Sequence, residues 1–98
     1  MKLIADFCII PLDAGTSLSP YIAECHRIFK DKKLKVLLHG YGTNLEGEWE
    51  DVMEAIRLCH ERLHQMGSPR ISSTLRLGTR IDREQSIEDK IDSVKTKI

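Results

Sequence analysis

The spacing of apolar residues switches between period two and period 3.6 several times along this chain, and the order of the switches leaves few folds open. Residues 2 to 10 alternate: Leu3, Ala5, Phe7 and Ile9 form an apolar face, while Lys2, Ile4, Asp6, Cys8 and Ile10 form a mixed one. That is a half-buried strand, ended by Pro11. LDAGTSLSP follows as a loop, in which Ser19 and Pro20 read as an N-cap and the first helical position. Tyr21, Ile22, Cys25, Ile28 and Phe29 then form a helical stripe that stops at the charged KDKK. Leu34, Val36 and Leu38 alternate with Lys35, Leu37 and His39 as a second strand. GYG at 40 to 42 punctuates it, and TNLE continues as a short third strand, so the two read as a hairpin.

Gly47 is read as opening the next helix, with Glu48, Glu50 and Asp51 in a first turn where acids favour the helix dipole. Its apolar stripe is Trp49, Val52, Met53, Ile56, Cys59 and Leu63. Gly67 is the expected C-cap, with Pro69 behind it. Ile71, Ser73, Leu75 and Leu77 alternate with Arg70, Ser72, Thr74 and Arg76 as a fourth strand. A last amphipathic helix is expected from about Ser86, carrying Ile87, Ile91, Val94 and Ile98. The order β-α-β-β-α-β plus a tail helix is the split βαβ signature of an α+β ferredoxin-like sandwich. Residues 1–98 are expected to form one domain, with 80–98 as a more charged helical appendage.

Two helices would cover one face of the sheet. The other face would carry Asp6, Cys8, Ile10, Leu37, His39, Tyr41, Ser72, Thr74 and Arg76. This set is too apolar for bare solvent and too polar for a core. It points to a ligand surface or a subunit interface.

Bulk properties narrow the function. Fifteen basic and fifteen acidic side chains give a formal net charge of zero. That balance lacks the electrostatic footprint of a nucleic-acid binder, and it lacks the repulsion that keeps monomers apart. No run approaches the ~18 apolar residues of a membrane span. Asp6 interrupts the first apolar run, which reads as a strand and not as a signal peptide. Three Cys with no C-x-x-C pair suggest reduced thiols in a cytoplasmic compartment, most simply as small core residues.

HERLH, residues 60 to 64, matches the helical zinc-hydrolase motif H-E-x-x-H. The match fails on the helical wheel. At about 100° per residue His60 falls about 20° from Trp49, inside the apolar stripe, whereas Glu61 falls near 120° and points away. Gly67 ends the helix three residues after His64, and His26 and His39 lie in other elements. A catalytic zinc site, with its third ligand and deep cleft, is not expected. His60 reads as a partly buried, hydrogen-bonded residue and His64 as a surface or interface one. The i, i+4 spacing still permits a weak metal site at the pair. GYGTNLEG lacks the Lys and the strand–helix context of a phosphate-binding loop.

The specific stretch is LHGYGTNLEGEWEDVMEAI, residues 38 to 56. Its GT-x-x-EGEW-x-x-VM pattern resembles the small thiamine-binding proteins of the YkoF-like superfamily. IPLDAGTSLSPYIAE and CHERLHQMGSPRISSTLRLGTRIDREQSIEDKI extend the similarity over nearly the whole chain, and the ending is most similar to fungal members. The resemblance implies a ferredoxin-like fold, no catalysis and no cofactor. It also implies dimers pairing into a homotetramer through sheet and helix contacts, and binding of thiamine (vitamin B1) or its hydroxymethylpyrimidine moiety. The family's second-helix His matches His60; His64 is usually another residue. Tyr41 departs from a Met common in bacterial members, and Asp13 from a common Gly.

Thiamine joins a flat aminopyrimidine to a cationic thiazolium, so a site needs an acceptor or counter-charge, polar groups and a flat apolar wall. Glu46 supplies the first, the Thr43 hydroxyl and the Gly42 backbone the second, and Tyr41 or Trp49 the wall. Thr16 and Ser17 complete a polar rim. The plainer roles of the same residues are core packing for Trp49, turn geometry for Gly42 and capping or turn duty for Thr16 and Ser17. Competing with ligand binding is a structural or regulatory oligomeric interaction module whose open sheet face serves assembly alone. A small metal-dependent enzyme is the third reading.

Overall fold

A computed structural model describes all 98 residues. The elements are β1 (Lys2–Pro11), α1 (Ser19–Asp31), β2 (Lys35–His39), β3 (Gly42–Glu48), α2 (Trp49–Gln65), β4 (Ile71–Gly78) and α3 (Ile87–Lys95). The four strands form one sheet in the order β2-β3-β1-β4, with every neighbouring pair antiparallel. This is the ferredoxin-like α+β arrangement expected from the element order.

The alternation in β1 decides the layers. Leu3, Ala5, Phe7 and Ile9 are all buried, and they join Leu45 of β3, Cys25 and Phe29 of α1, and Val52, Ala55, Cys59 and Leu63 of α2 in one core cluster. The Phe7 and Phe29 rings meet edge to face at 6.2 Å between centroids. Between the helices Cys25 and Cys59 are both fully buried, and the neighbouring Cys25 thiol together with burial pushes Cys59 far above its ordinary value. Held protonated, the Cys59 thiol is inert packing; Cys25 and Cys59 are core residues as expected, whereas Cys8 is half-buried on the open face.

Two local expectations are corrected. Ser19 is not the N-cap of α1: Leu18 occupies that position, makes no side-chain cap bond, and leaves Ser19 and Pro20 as the first helical residues. Gly47 does not open α2. It continues β3, and Glu48 is the extended residue before the helix. A Cβ at Gly47 would sit 2.5 Å from Leu34 Cδ2, so this glycine exists to let Leu34 pack against the strand. β3 is correspondingly longer than TNLE.

The other helix ends follow the sequence. Gly67 adopts φ +98°, and the bonds Gly67 N–H to His64 O and Ser68 N–H to Leu63 O close α2 as a Schellman turn. Ser86 caps α3 through a reciprocal capping box with Asp89. The segment before it folds around Arg80, whose guanidinium binds Asp82 and Gln85 and holds the Asp82 carboxyl down to about 2.

Candidate functional site

Strand register generates the open face row by row. Leu37 pairs with Asn44, Asn44 with Asp6, and Asp6 with Arg76, so these four form one line across all four strands. In the next rows Cys8 stands beside Thr74, and Ile10 beside Ser72. Toward the other end, Lys35 pairs with Glu46 and Glu46 with Ile4.

An Asp–His pair dominates the middle of this face. His39 Nε2 lies 2.6 Å from Asp6 Oδ1, and the Tyr41 backbone N–H donates to His39 Nδ1 at 3.3 Å. An N–H can only donate, so Nδ1 is the acceptor and Nε2–H is directed at the carboxylate. Both ring nitrogens are committed. His39 therefore orients Asp6 and is no free general base. Gly42 makes this reach feasible. A Cβ there would lie 2.8 Å from the Phe7 carbonyl oxygen, 3.2 Å from His39 Cε1 and 3.4 Å from Asp6 Oδ1. Asp6 keeps about half its side chain in solvent, so a second carboxylate oxygen remains available. Beside it lie half-buried Cys8 and Asn44, with partly exposed Leu37 in the same row; Ile10 stands about 13 Å further along β1.

The residues singled out in the sequence do not converge on one point. Tyr41, a residue 93% exposed, and Gly42 lie at the end of the sheet where β1 leads into the loop bearing exposed Thr16 and Ser17. Thr43 faces the other way; it is buried under α1, with its hydroxyl 3.0 Å from His26 Nε2. Glu46 lies on the open face about 13 Å along β3 from Gly42, at the strand rise of about 3.3 Å per residue. Its side chain is only 11% exposed: one oxygen accepts the Ile87 N–H at 2.6 Å, and the other lies 3.4 Å from Lys2 Nζ. Glu46 thus fastens α3 to the sheet, helped by the Lys35–Glu88 ion pair. Trp49 packs half-buried against the core at that same end, with its N–H on the Met1 carbonyl.

Asn44 escaped the sequence reading, although its place was derivable: it shares strand parity with Gly42 and Glu46. The orienting role of His39 left no signal at all, because it depends on a glycine three positions away in sequence lying under the ring.

The H-E-x-x-H residues sit on the opposite layer. His60 Nε2 bonds Ser73 Oγ at 2.9 Å, while Glu61 turns outward to Arg57. No group of three or more His, Cys, Asp or Glu side chains is arranged to hold a metal ion. No helix is long and apolar enough to cross a membrane.

The family model described as "Thiamine-binding protein" matches residues 5–95. The chain belongs to this family. Its members' kinship reaches across kingdoms. UPF0045 protein sll0230 of the cyanobacterium Synechocystis is 45% identical over 96 residues, covering 98% of this chain and 79% of that protein. UPF0045 protein ECM15 of the fungus Eremothecium gossypii is 38% identical, covering 100% and 94%. A fungal relative is thus among the matches, alongside a cyanobacterial one of higher identity. Among solved structures, hypothetical protein MJ1052 of Methanocaldococcus jannaschii superimposes with a TM-score of 0.90 at 33% identity, over 96% of each chain.

Proposed function

We propose that this protein binds thiamine or its pyrimidine moiety without catalysing a reaction, and does so on the open face of its sheet as a cytoplasmic homo-oligomer. The observation that carries the reading is the family match over residues 5–95, taken with an oriented, half-exposed carboxylate on that face. Asp6 offsets the thiazolium charge or accepts from the exocyclic amine. The Asn44 amide and the Thr74 hydroxyl meet the ring edge, and Leu37, in the same row as Asn44 and Asp6, gives the flat apolar wall. Tyr41 stacks from the rim, near Gly42, Thr16 and Ser17. Glu46, already engaged by Ile87 and Lys2, bounds the site by fixing α3, and Thr43 and Trp49 support it from the helix layer.

Calorimetry with thiamine tests this. Wild type should release heat, and Asp6→Asn should bind about ten- to a hundredfold more weakly, the loss expected for one charge-assisted hydrogen bond. Glu46→Gln should bind within a few-fold of wild type. No heat up to about 1 mM thiamine would sink the ligand; equal binding by Asp6→Asn would sink the site.

A second reading, assembly alone, is favoured by α3. Exposure along its apolar stripe climbs from 4% at Ile87 through 43% at Ile91 to 60% at Val94, and Ile98 beyond the helix is 96% exposed. The radius of gyration is 14.5 Å, against about 13 Å for a compact chain of this length. The helix projects an apolar edge that a second copy would cover. A stable oligomer in sedimentation that takes up no thiamine would select this reading.

A further inference from the structure

The H-E-x-x-H pair has a use outside hydrolysis, and it lies on the opposite layer from the ligand face. His60 and His64 stand one helical turn apart on α2, with ring centroids 6.5 Å apart. Each ring has one nitrogen engaged by the protein and one left over. His64 Nδ1 lies 2.7 Å from the Ser68 carbonyl oxygen. A carbonyl only accepts, so Nδ1 carries the proton and the lone pair is on Nε2. His60 Nε2 engages Ser73 Oγ at 2.9 Å, leaving Nδ1. Donation of the second ring N–H to a backbone carbonyl or other acceptor is how proteins fix the tautomer of a metal-binding histidine.

The backbone builds this arrangement. Gly67, at φ +98°, turns the chain back so that the Ser68 carbonyl comes against the ring four residues earlier. Ser73 belongs to the helix-facing side of β4, where it pairs with buried Ile9. The two anchors are thus a Schellman turn and a strand, both rigid.

The geometry points to a two-histidine site for a borderline divalent cation of the zinc or nickel class, held by His60 Nδ1 and His64 Nε2 with its remaining positions open to water. Imidazole nitrogen suits these ions, and zinc–nitrogen distances are about 2.0–2.1 Å. Rings bound tetrahedrally at that length have centroids about 5 Å apart, so the pair must close by about 1.5 Å. The His64 side chain is exposed, so the closure falls to its ring, turning within reach of the Ser68 carbonyl that holds Nδ1. Glu61 is bound to Arg57, so no general base adjoins the metal, and the site binds without hydrolysing. This inference does not rest on the thiamine reading and can stand or fall separately.

The test is a Zn²⁺ titration of nitrogen-15-labelled protein, followed through the two-bond imidazole correlations, with affinity from competition against a chromogenic chelator. Expected are one ion per chain and coordination shifts at His60 Nδ1 and His64 Nε2 only. His64→Asn, at an exposed position where folding is not in question, should weaken binding at least tenfold, and Ser73→Ala about tenfold through loss of the supporting bond. Unchanged affinity in His64→Asn would overturn the site. So would shifts at His26 or His39, capture of the ion by the Cys8 thiol, or no binding at about 1 mM Zn²⁺.

Discussion

The two faces of one sheet are built from the same strands and obey different rules. On the helix side β1 contributes Leu3, Ala5, Phe7 and Ile9, all buried, to a core with Leu45 and the stripes of α1 and α2. On the other side the same strand contributes Ile4, Asp6, Cys8 and Ile10, partly exposed and interleaved with charge. The first face is fixed by volume, since close packing penalises any lost methylene. The second is fixed by reach: which side chain can cross to which partner over a residue small enough to allow it. Stability should therefore live on one face and recognition on the other.

The largest expected difference comes from truncating one residue on each face. Phe7→Ala removes a fully buried ring that contacts Phe29 and should cost about 3–5 kcal/mol. Ile10→Ala, at a position 40% exposed, should cost about 1 kcal/mol or less in dilute protein. Urea unfolding measures both. Equal costs would mean that the open face is already part of a core.

Next is Gly42, where the faces meet. Gly42→Ala brings a Cβ to 2.8 Å from the Phe7 carbonyl, a backbone atom that cannot step aside, and should cost about 1–3 kcal/mol. Gly47→Ala meets only the tip of the Leu34 side chain and should cost less. The same Gly42 variant should release His39 from Asp6, visible as a changed His39 ring signal in proton spectra. If Gly47→Ala proves the more damaging, packing and not reach rules β3.

The helix face also carries a pH dependence. Burial, with a smaller contribution from Lys30, lowers the His26 pKa, and burial also lowers that of His60. The unfolded chain then binds protons more readily than the folded one below the ordinary histidine value of about 6.5. Stability should be full above that pH and decline as pH falls from there through the depressed folded values. His26→Gln should flatten part of the decline in urea midpoints taken from pH 7.5 to 5. An unchanged slope in both His26→Gln and His60→Gln would remove these histidines as its cause.

The fold was largely legible because alternation is a local signal: β1 reads its two faces directly from odd and even positions, and both α2 and its Gly67 terminus follow from spacing and one left-handed glycine. The candidate site was legible only in part, because it depends on register. GTNLEGEW identifies the family stretch, yet strand parity sends Thr43 and Glu46 to opposite faces, and Glu46 meets the N–H of Ile87, 41 positions away. No local pattern encodes that pairing. The displaced start of α2 has the same origin: Gly47 looks like a helix opener, but it pairs with Leu3 of β1 and leaves room for Leu34 from the turn before β2.

The smallest expected effect on the chain itself lies in α3, and it bears most directly on what covers the open face. Ile91→Ser and Val94→Ser alter side chains that are already 43% and 60% exposed, on a helix held mainly near Ile87 by Glu46 and the Lys35–Glu88 ion pair. In the isolated chain such changes should move stability by no more than about 0.5 kcal/mol each. If the projecting stripe is an assembly edge, the double variant should nevertheless sediment as a smaller species than wild type at the same concentration. Glu46→Gln, which weakens the attachment of α3 without touching the stripe, should move the equilibrium in the same direction but less. A double variant that assembles as wild type does would confine α3 to its own chain and leave the sheet face alone to explain any self-association.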